Sequence, residues 1–345
     1  MLDDSKSHRS LYGAMEKIPG GLMIVPMIIG SIFGTFCPTV LDAGSFTSAL
    51  FRDGALPLMG LLLFATGMQL TVRTLGQVAS TTGVLLTCKS IIPGLLVIGL
   101  GYFCGLDGIF GISLIALLAA MDNNNGGVWV AFAGKYGDRR DQGAYIASVL
   151  NDGPFFSMVL IGAAGFAVIP LDTMLAALFP VALGVLVGNL DCKWRTVMEP
   201  VANVTIPFIA FGLGIRIDLF DILKGGLTGI GLGIAVVAVT GTLVYAGYRF
   251  LLKRGEDSAI GFAAGTTSGN AIANPAILAA IDPALNPYVG VATAQVAASA
   301  LVTALLAPTV AAWLLGRARK RARTRQRVAP PSGAPAPSAS GRGLS

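Results

Sequence analysis

Asp122-Asn123-Asn124-Asn125-Gly126-Gly127 interrupts an apolar stretch, 108–133, that otherwise reads as a membrane-spanning helix. One carboxyl, three carboxamides and two glycines at hydrocarbon depth are too costly to face lipid. Irregular polar backbone is tolerated there only where protein buries it or where it lines a wet cavity. A second interruption, Thr266-Thr267-Ser268-Gly269-Asn270, follows 144 residues later. Two broken apolar segments at corresponding places in two halves of a chain point to a transporter's substrate site.

The composition agrees with a polytopic membrane protein. Of 345 residues, 54% are hydrophobic and 12% charged, against about 25% charged in soluble domains. Mean hydropathy is +0.74. The 45 glycines suit close helix packing in lipid. The net charge of +6 is no nucleic-acid signal, because seven basic residues fall in one run, 317–327, directly after an apolar helix. That run reads as a cytoplasmic flank and fits contact with anionic lipid. The single histidine, His8, and four cysteines without CxxC spacing leave no metal cluster or Ser-His-Asp site. No phosphate-binding loop in a strand–helix context is present, which argues against ATP-driven transport within the chain. Residues 1–17 are polar and carry no signal-peptide pattern.

A bilayer crossing needs about 20 mainly apolar residues. By that rule the chain holds ten segments: 19–38, 54–72, 78–104, 108–135, 143–169, 173–190, 199–217, 226–252, 258–281 and 287–316. They divide the chain into a cytoplasmic segment 1–18, a transporter domain 19–316 and a basic, disordered cytoplasmic tail 317–345. With both termini inside, Lys6, Arg9, Lys17, Arg73, Lys135, Arg139, Arg140, Lys193, Arg195, Arg249, Lys253 and Arg254 are cytoplasmic. Only Arg52, Arg216 and Lys224 fall outside, and twelve against three is a strong positive-inside bias.

The halves resemble each other. Phe64-Ala65-Thr66-Gly67-Met68-Gln69-Leu70 pairs with Phe211-Gly212-Leu213-Gly214-Ile215-Arg216-Ile217 at an offset of 147. At an offset of 144 Asp122 pairs with Thr266, Asp138 with Asp282 and Asn151 with Gln295. Five spans per half is odd, so repeat two, 173–316, would insert upside down relative to repeat one, 19–169. The expected fold is all-α, with ten transmembrane helices as two inverted five-helix repeats and broken helices 4 and 9.

In that fold the two breaks meet near the midplane. Gly126 and Gly127 let the backbone leave and re-enter the helix, whose N-terminus then offers free N–H groups to an anion. Asn123, Asn124, Asn125, Thr266, Thr267, Ser268 and Asn270 supply carboxamides and hydroxyls, with Asn274-Pro275 following. Asn151 and its counterpart Gln295 would add to the chamber. Such a chamber suits a small hydroxylated carboxylate. Asp122 is the first candidate proton carrier, or a cap of the second half-helix. Asp152 is a second proton site, a Na⁺ ligand or an N-cap for the helix after Pro154. Lys89, mid-span with Pro93 four residues on, needs a partner: Asp122, Asp152 or a substrate carboxylate. Asp218 and Asp221 read as ordinary loop charges.

Several motifs in order resemble the 2-keto-3-deoxygluconate permease family of bacterial sugar-acid transporters. They are Glu16-Lys17-Ile18-Pro19-Gly20-Gly21, Ala119-Ala120-Met121-Asp122 with Asn125-Gly126-Gly127, Gly188-Asn189-Leu190-Asp191, and Ile206-Pro207-Phe208 leading to Ile217-Asp218-Leu219. Lys89 also matches. The resemblance covers about residues 16–313. It implies a fold like that of the bile acid/sodium symporters. It also implies proton-coupled import of a sugar-acid anion across the bacterial inner membrane, with no cofactor beyond the coupling ion. A sodium-coupled organic-anion symporter and a passive anion channel are the alternatives; no nucleophile–base pair or metal cluster supports an enzyme.

Overall fold

The computed structural model describes residues 10–16, 21–42, 44–70, 72–215 and 219–328. Expectations on residues 1–9, on Lys17-Ile18-Pro19-Gly20, on Arg216-Ile217-Asp218 and on the Pro- and Ser-rich end of the chain lie outside the described residues. Twelve helices organise the rest: α1 (Gly21–Phe36), α2 (Ala55–Met68), α3 (Val78–Cys104), α4 (Leu114–Met121), α5 (Gly126–Tyr136), α6 (Arg139–Leu150), α7 (Phe155–Ala163), α8 (Leu171–Leu190), α9 (Val201–Gly214), α10 (Gly225–Leu251), α11 (Asn274–Ile281) and α12 (Val289–Val328). Among the described residues there is no strand, and Ile109 and Ile112 form an isolated bridge.

Each of the ten expected segments contains helix. By length and composition three helices, Val78–Cys104, Gly225–Leu251 and Pro283–Arg321, are sufficient to cross a bilayer, and up to six spans result if each bent pair counts once. The fourth segment is split between α4 and α5, as its polar run requires. The fifth is also bent, by 57° between α6 and α7. In the ninth, a 3₁₀ stretch, Gly255–Ala264, takes the place of a first half-helix. The last helix does not stop at the lipid boundary: α12 runs on to Val328, so the first part of the expected disordered tail is helical. Arg, Lys, Ala and Gln, which with Thr324 make up 317–327, are good helix formers, and a helix already nucleated by packing extends through them at little cost.

The helices form two layers. In one, α9 packs on α1 and α2, and α8 packs on α2. Its close approach depends on missing side chains: a Cβ added at Gly184 would strike the Phe64 carbonyl, and one at Gly214 the Met27 carbonyl. The outer side of α8 presents Leu175, Phe179, Leu183, Leu186 and Leu190, all exposed and spaced as one helix face. Such a stripe suits lipid, not water. The other layer contains α3–α7 and α10–α12, with α10 lying along α12. At its centre α4 is apolar on every side and buried at every position.

Connections gather in groups. The Thr35 hydroxyl at the end of α1 accepts from Leu219 N at 3.0 Å, while Gln69 after α2 donates to the Arg195 carbonyl before α9 at 3.2 Å. Asp107 accepts from the Tyr288 hydroxyl at 2.8 Å, and Asp282 accepts from Val168 N at 2.7 Å. On the remaining loops, Arg254 bridges Asp138 and Asp141, each at 2.6 Å, and Arg319 joins Asp257 at 3.0 Å and the Tyr136 carbonyl at 3.3 Å. The Arg254 guanidinium holds the Asp138 carboxyl well below the usual carboxylate range.

Two outcomes follow from this packing. Gly184→Leu separates α8 from α2 and lowers stability by about 1–3 kcal/mol, read as a drop in melting temperature in detergent. Arg254→Ala leaves the buried Asp141 carboxyl without its cation and costs about 2–4 kcal/mol. Because the Asp138 pKa is depressed in the folded state, its contribution is complete above the unfolded value of about 3.9 and fades only as pH falls toward the folded one. The buried Asp141 carboxyl is pushed up by burial and rises further without Arg254, so the Arg254→Ala loss in melting temperature is at least as large at pH 8 as at pH 6; a loss confined to pH 6 contradicts the assignment.

Candidate functional site

The two breaks touch and exchange hydrogen bonds. Asn125 N, at the first break, donates to the Thr266 hydroxyl of the second at 2.8 Å. In return Ser268 N, at the second break, donates to Asn123 Oδ1 of the first at 2.7 Å. Thr267 Oγ1 adds a bond to the Ala120 carbonyl at 3.0 Å. Each break thus satisfies backbone amides that its own interrupted helix cannot, which is the requirement for leaving helical geometry away from water. The half-helix α5 begins where the glycines place it, at Gly126, and a Cβ there would meet the Tyr145 ring at 2.8 Å.

A ring of side chains holds each break. Asn124 donates to Ser148 Oγ at 2.8 Å, and the Asn151 amide spans Asn124 and Ser90 with contacts of 3.0 and 3.1 Å. On the other side Thr267 N donates to Thr303 Oγ1 at 2.8 Å, and the Thr267 and Ser299 hydroxyls lie 2.8 Å apart. Asp122 is fully buried, with Asn123 Nδ2 at 3.0 Å and the Ser157 hydroxyl on its other oxygen. Asp152 accepts from Ser268 Oγ at 2.7 Å and from Asn270 Nδ2 at 2.6 Å, so a first-half carboxyl ties down the second break.

Three readings of single residues change. Asp122 does not cap α5: it lies at the C-terminal end of α4, and Asn125 is the N-cap, accepting from Val128 N at 3.1 Å. Asp152 does not cap α7, because Pro154 occupies that position and the carboxylate is engaged with the second break. Lys89 pairs with neither acid within 4.0 Å. Its ammonium donates to the Met121 carbonyl at 3.0 Å and to Thr240 Oγ1 at 3.1 Å. The Pro93 ring crowds the Lys89 carbonyl four residues back, and the chain widens into a π-turn, Thr87–Ile91, that carries Lys89 inward.

The structure therefore brings together Lys89, Asp122, Asn123, Asn124, Asn125, Gly126, Gly127, Asn151, Asp152, Thr266, Thr267, Ser268 and Asn270. Gln295 is elsewhere: its Nε2 donates to the Gly111 carbonyl at 2.7 Å and to Thr228 Oγ1 at 2.9 Å. Ser90, Ser148, Ser157, Thr240, Ser299 and Thr303 belong to the site without having been singled out. Helical spacing was their available signal, since Ser148 with Asn151, and Ser299 with Thr303, share faces of otherwise apolar helices.

A cleft between the two layers reaches this network. Leu62, Leu63, Thr66 and Ile206 line one wall, and Asp152, Asn270 and Asn274 the other. Asn274 donates to the Gly153 carbonyl at 3.3 Å, and its own buried Oδ1 accepts no hydrogen bond. The cleft volume is about 30 Å³, room for one water, and an adjoining cavity of about 150 Å³ shares Leu63, Asp152, Gly153 and Pro154.

A family model described as 2-keto-3-deoxygluconate permease matches residues 12–320. The chain belongs to the 2-keto-3-deoxygluconate permease family. It is 41% identical over 262 residues to 2-keto-3-deoxygluconate permease 1 of Salmonella typhimurium, covering 76% of this chain and 82% of that one. It is 36% identical over 268 residues to the 2-keto-3-deoxygluconate permease of Pectobacterium carotovorum subsp. carotovorum, covering 76% and 83%. The Bacillus subtilis protein of the same name is 35% identical over 271 residues, covering 77% and 81%. These relatives are permeases, not enzymes, and this permease is an all-helical, multi-pass membrane protein.

The reciprocal bonds make a specific demand on Asn123. Asn123→Leu leaves Ser268 N buried without an acceptor and costs about 1–3 kcal/mol, and Thr266→Val does the same to Asn125 N in the return bond. Melting of the two variants in detergent checks this; no loss in either argues that the inter-break bonds carry no stability.

Proposed function

We propose that this permease imports 2-keto-3-deoxygluconate across the bacterial cytoplasmic membrane by proton symport, through ten spans arranged as two inverted repeats, 19–169 and 173–316, with both termini cytoplasmic. The observation that carries the reading is the Asp152 carboxylate, set in the inter-layer cleft and bonded to Ser268 and Asn270 of the opposite break. A proton on Asp152 removes an acceptor from that pair and frees a hydroxyl or a carboxamide to turn to a sugar hydroxyl. Asp122, held by Ser157 and Asn123, is the second candidate carrier.

The loop contacts support ten crossings. Connections after the fourth, eighth and tenth segments meet through Arg254 and Arg319, and those after the third, fifth and ninth meet through Asp107–Tyr288 and Asp282–Val168. Alternate loops gather in this way when the segments between them cross. A substrate anion requires a cation partner. Drawing it into a negative interior costs about 2.3 kcal/mol per charge per 100 mV, and one co-transported cation cancels that term. The unpartnered Asn274 Oδ1 marks where a substrate hydroxyl would donate. Loading a six-carbon acid against Asp152 and Asn274 would widen this cleft as the layers part. This is alternating access of a core against a four-helix panel, in the manner of bile acid/sodium symporters.

The test is uptake of labelled 2-keto-3-deoxygluconate into proteoliposomes under an inward proton gradient and, separately, a sodium gradient. Proton-driven accumulation, reduced at least about tenfold in Asp152→Asn or Asp122→Asn, is expected. Accumulation under sodium alone replaces the proton reading with sodium symport. Flux without accumulation identifies a channel.

A further inference from the structure

We propose that the Lys89 ammonium is a tethered cation filling a latent alkali-cation site at the broken end of α4, so that this chain binds no sodium there. The inference goes beyond proton-coupled uptake, and its readout is cation binding, so its failure leaves the uptake reading standing.

The site is defined by what surrounds the ammonium. Lys89 is fully buried. Its nitrogen donates to the Met121 carbonyl at 3.0 Å, which is the last residue of α4. A helix that ends inside the protein leaves carbonyls unpaired and carries the negative end of its dipole there, and both attract a cation. The second ligand is Thr240 Oγ1 at 3.1 Å, from the π-turn Val237–Gly241 of α10. The neighbouring acid, Asp122, adds negative field without an ion pair, since Ser157 and Asn123 bond to its two oxygens. A carbonyl, a hydroxyl and a nearby carboxylate form a hard-oxygen environment of the kind that holds sodium. An ammonium on a four-carbon stem supplies the same charge at the same place with no ion to capture.

The opposite break has no such ammonium. There the corresponding π-turn brings Gly241 against Gly265, where an added Cβ on Gly265 would lie 2.7 Å from Gly241 Cα, so no side chain from α10 reaches the end of the 3₁₀ stretch. The tethered cation is a feature of the first break alone.

Lys89→Ala removes the ammonium and leaves a space the length of its stem, open to an ion with its waters. Purified wild type, Lys89→Ala and Lys89→Gln are melted in detergent with sodium chloride or N-methylglucamine chloride at equal ionic strength. Sodium is expected to raise the Lys89→Ala melting temperature by roughly 3 °C at saturation, leave wild type unmoved and act weakly or not at all on Lys89→Gln, whose amide fills the space. Thr240→Val in the Lys89→Ala background removes one oxygen ligand and is expected to weaken the sodium effect at least about tenfold in half-saturating concentration. A Lys89→Ala protein that melts alike in both salts overturns the proposal. Sodium-specific stabilisation of wild type that Thr240→Val abolishes and Asp152→Asn leaves unchanged overturns it as well, and that arm stands even if neither Lys89 variant folds.

Discussion

A backbone amide without a partner in the hydrocarbon core costs several kcal/mol, and both polar interruptions of this chain create such amides. Neither break can satisfy itself, because the helical partners are what it has given up. The solution is mutual: Asn125 N goes to Thr266 and Ser268 N to Asn123. Most other features of the inner layer serve this exchange. The breaks must lie against each other, which buries α4 on all sides and demands that it be apolar throughout. Carboxamides and hydroxyls are dense here because each carries the acceptor or donor that the missing helical turn no longer provides.

Much of this was legible in the residues. The Asp122–Gly127 run located where one half-helix stops and the next starts, since a carboxyl, three carboxamides and two glycines in a row cannot continue a lipid-facing helix. The hydroxyls that hold the breaks were not legible. A lone Ser or Thr on an apolar helix commonly bonds back to its own turn, as Thr240 does to the Val236 carbonyl at 2.8 Å. Its sequence surroundings do not reveal a second partner across the fold. Gln295 shows a different limit. An offset of 144 made it the counterpart of Asn151, but a constant offset ignores unequal loops. By contact, Ser299 and Thr303 do for Thr267 what Ser148 and Asn151 do for Asn124. Which side chain caps α5 was not legible, because three consecutive asparagines follow Asp122 and only the dihedral angles decide which one reaches back.

The breaks match in their exchanged bonds but differ in charge. The first carries Asp122 at the end of α4 with the Lys89 ammonium on the preceding carbonyl. The second carries no charge of its own and receives Asp152 from the α6–α7 bend. The first break encloses both its acid and its base. The second break is held by a single carboxylate at the edge of the cleft.

Movement must leave the exchanged bonds intact, since breaking them would restore the full desolvation cost in a place without water. The layout permits this. The bonds of the breaks run among helices of one layer, while Gln69 and Arg195 bond within the other. Across the cleft the facing groups are mainly aliphatic: Leu62, Leu63, Ile206 and Ile209 against Pro154, Ala273 and Ile277. Apolar contacts lack direction, so one layer can slide on the other by exchanging one set of neighbours for another of similar energy. In the proposed transport cycle a widened cleft would expose Asp152 and Asn274 to substrate while the broken helices travel as a unit. The arrangement thus separates what must stay rigid, the hydrogen-bonded crossing, from what must yield, the aliphatic seam beside it.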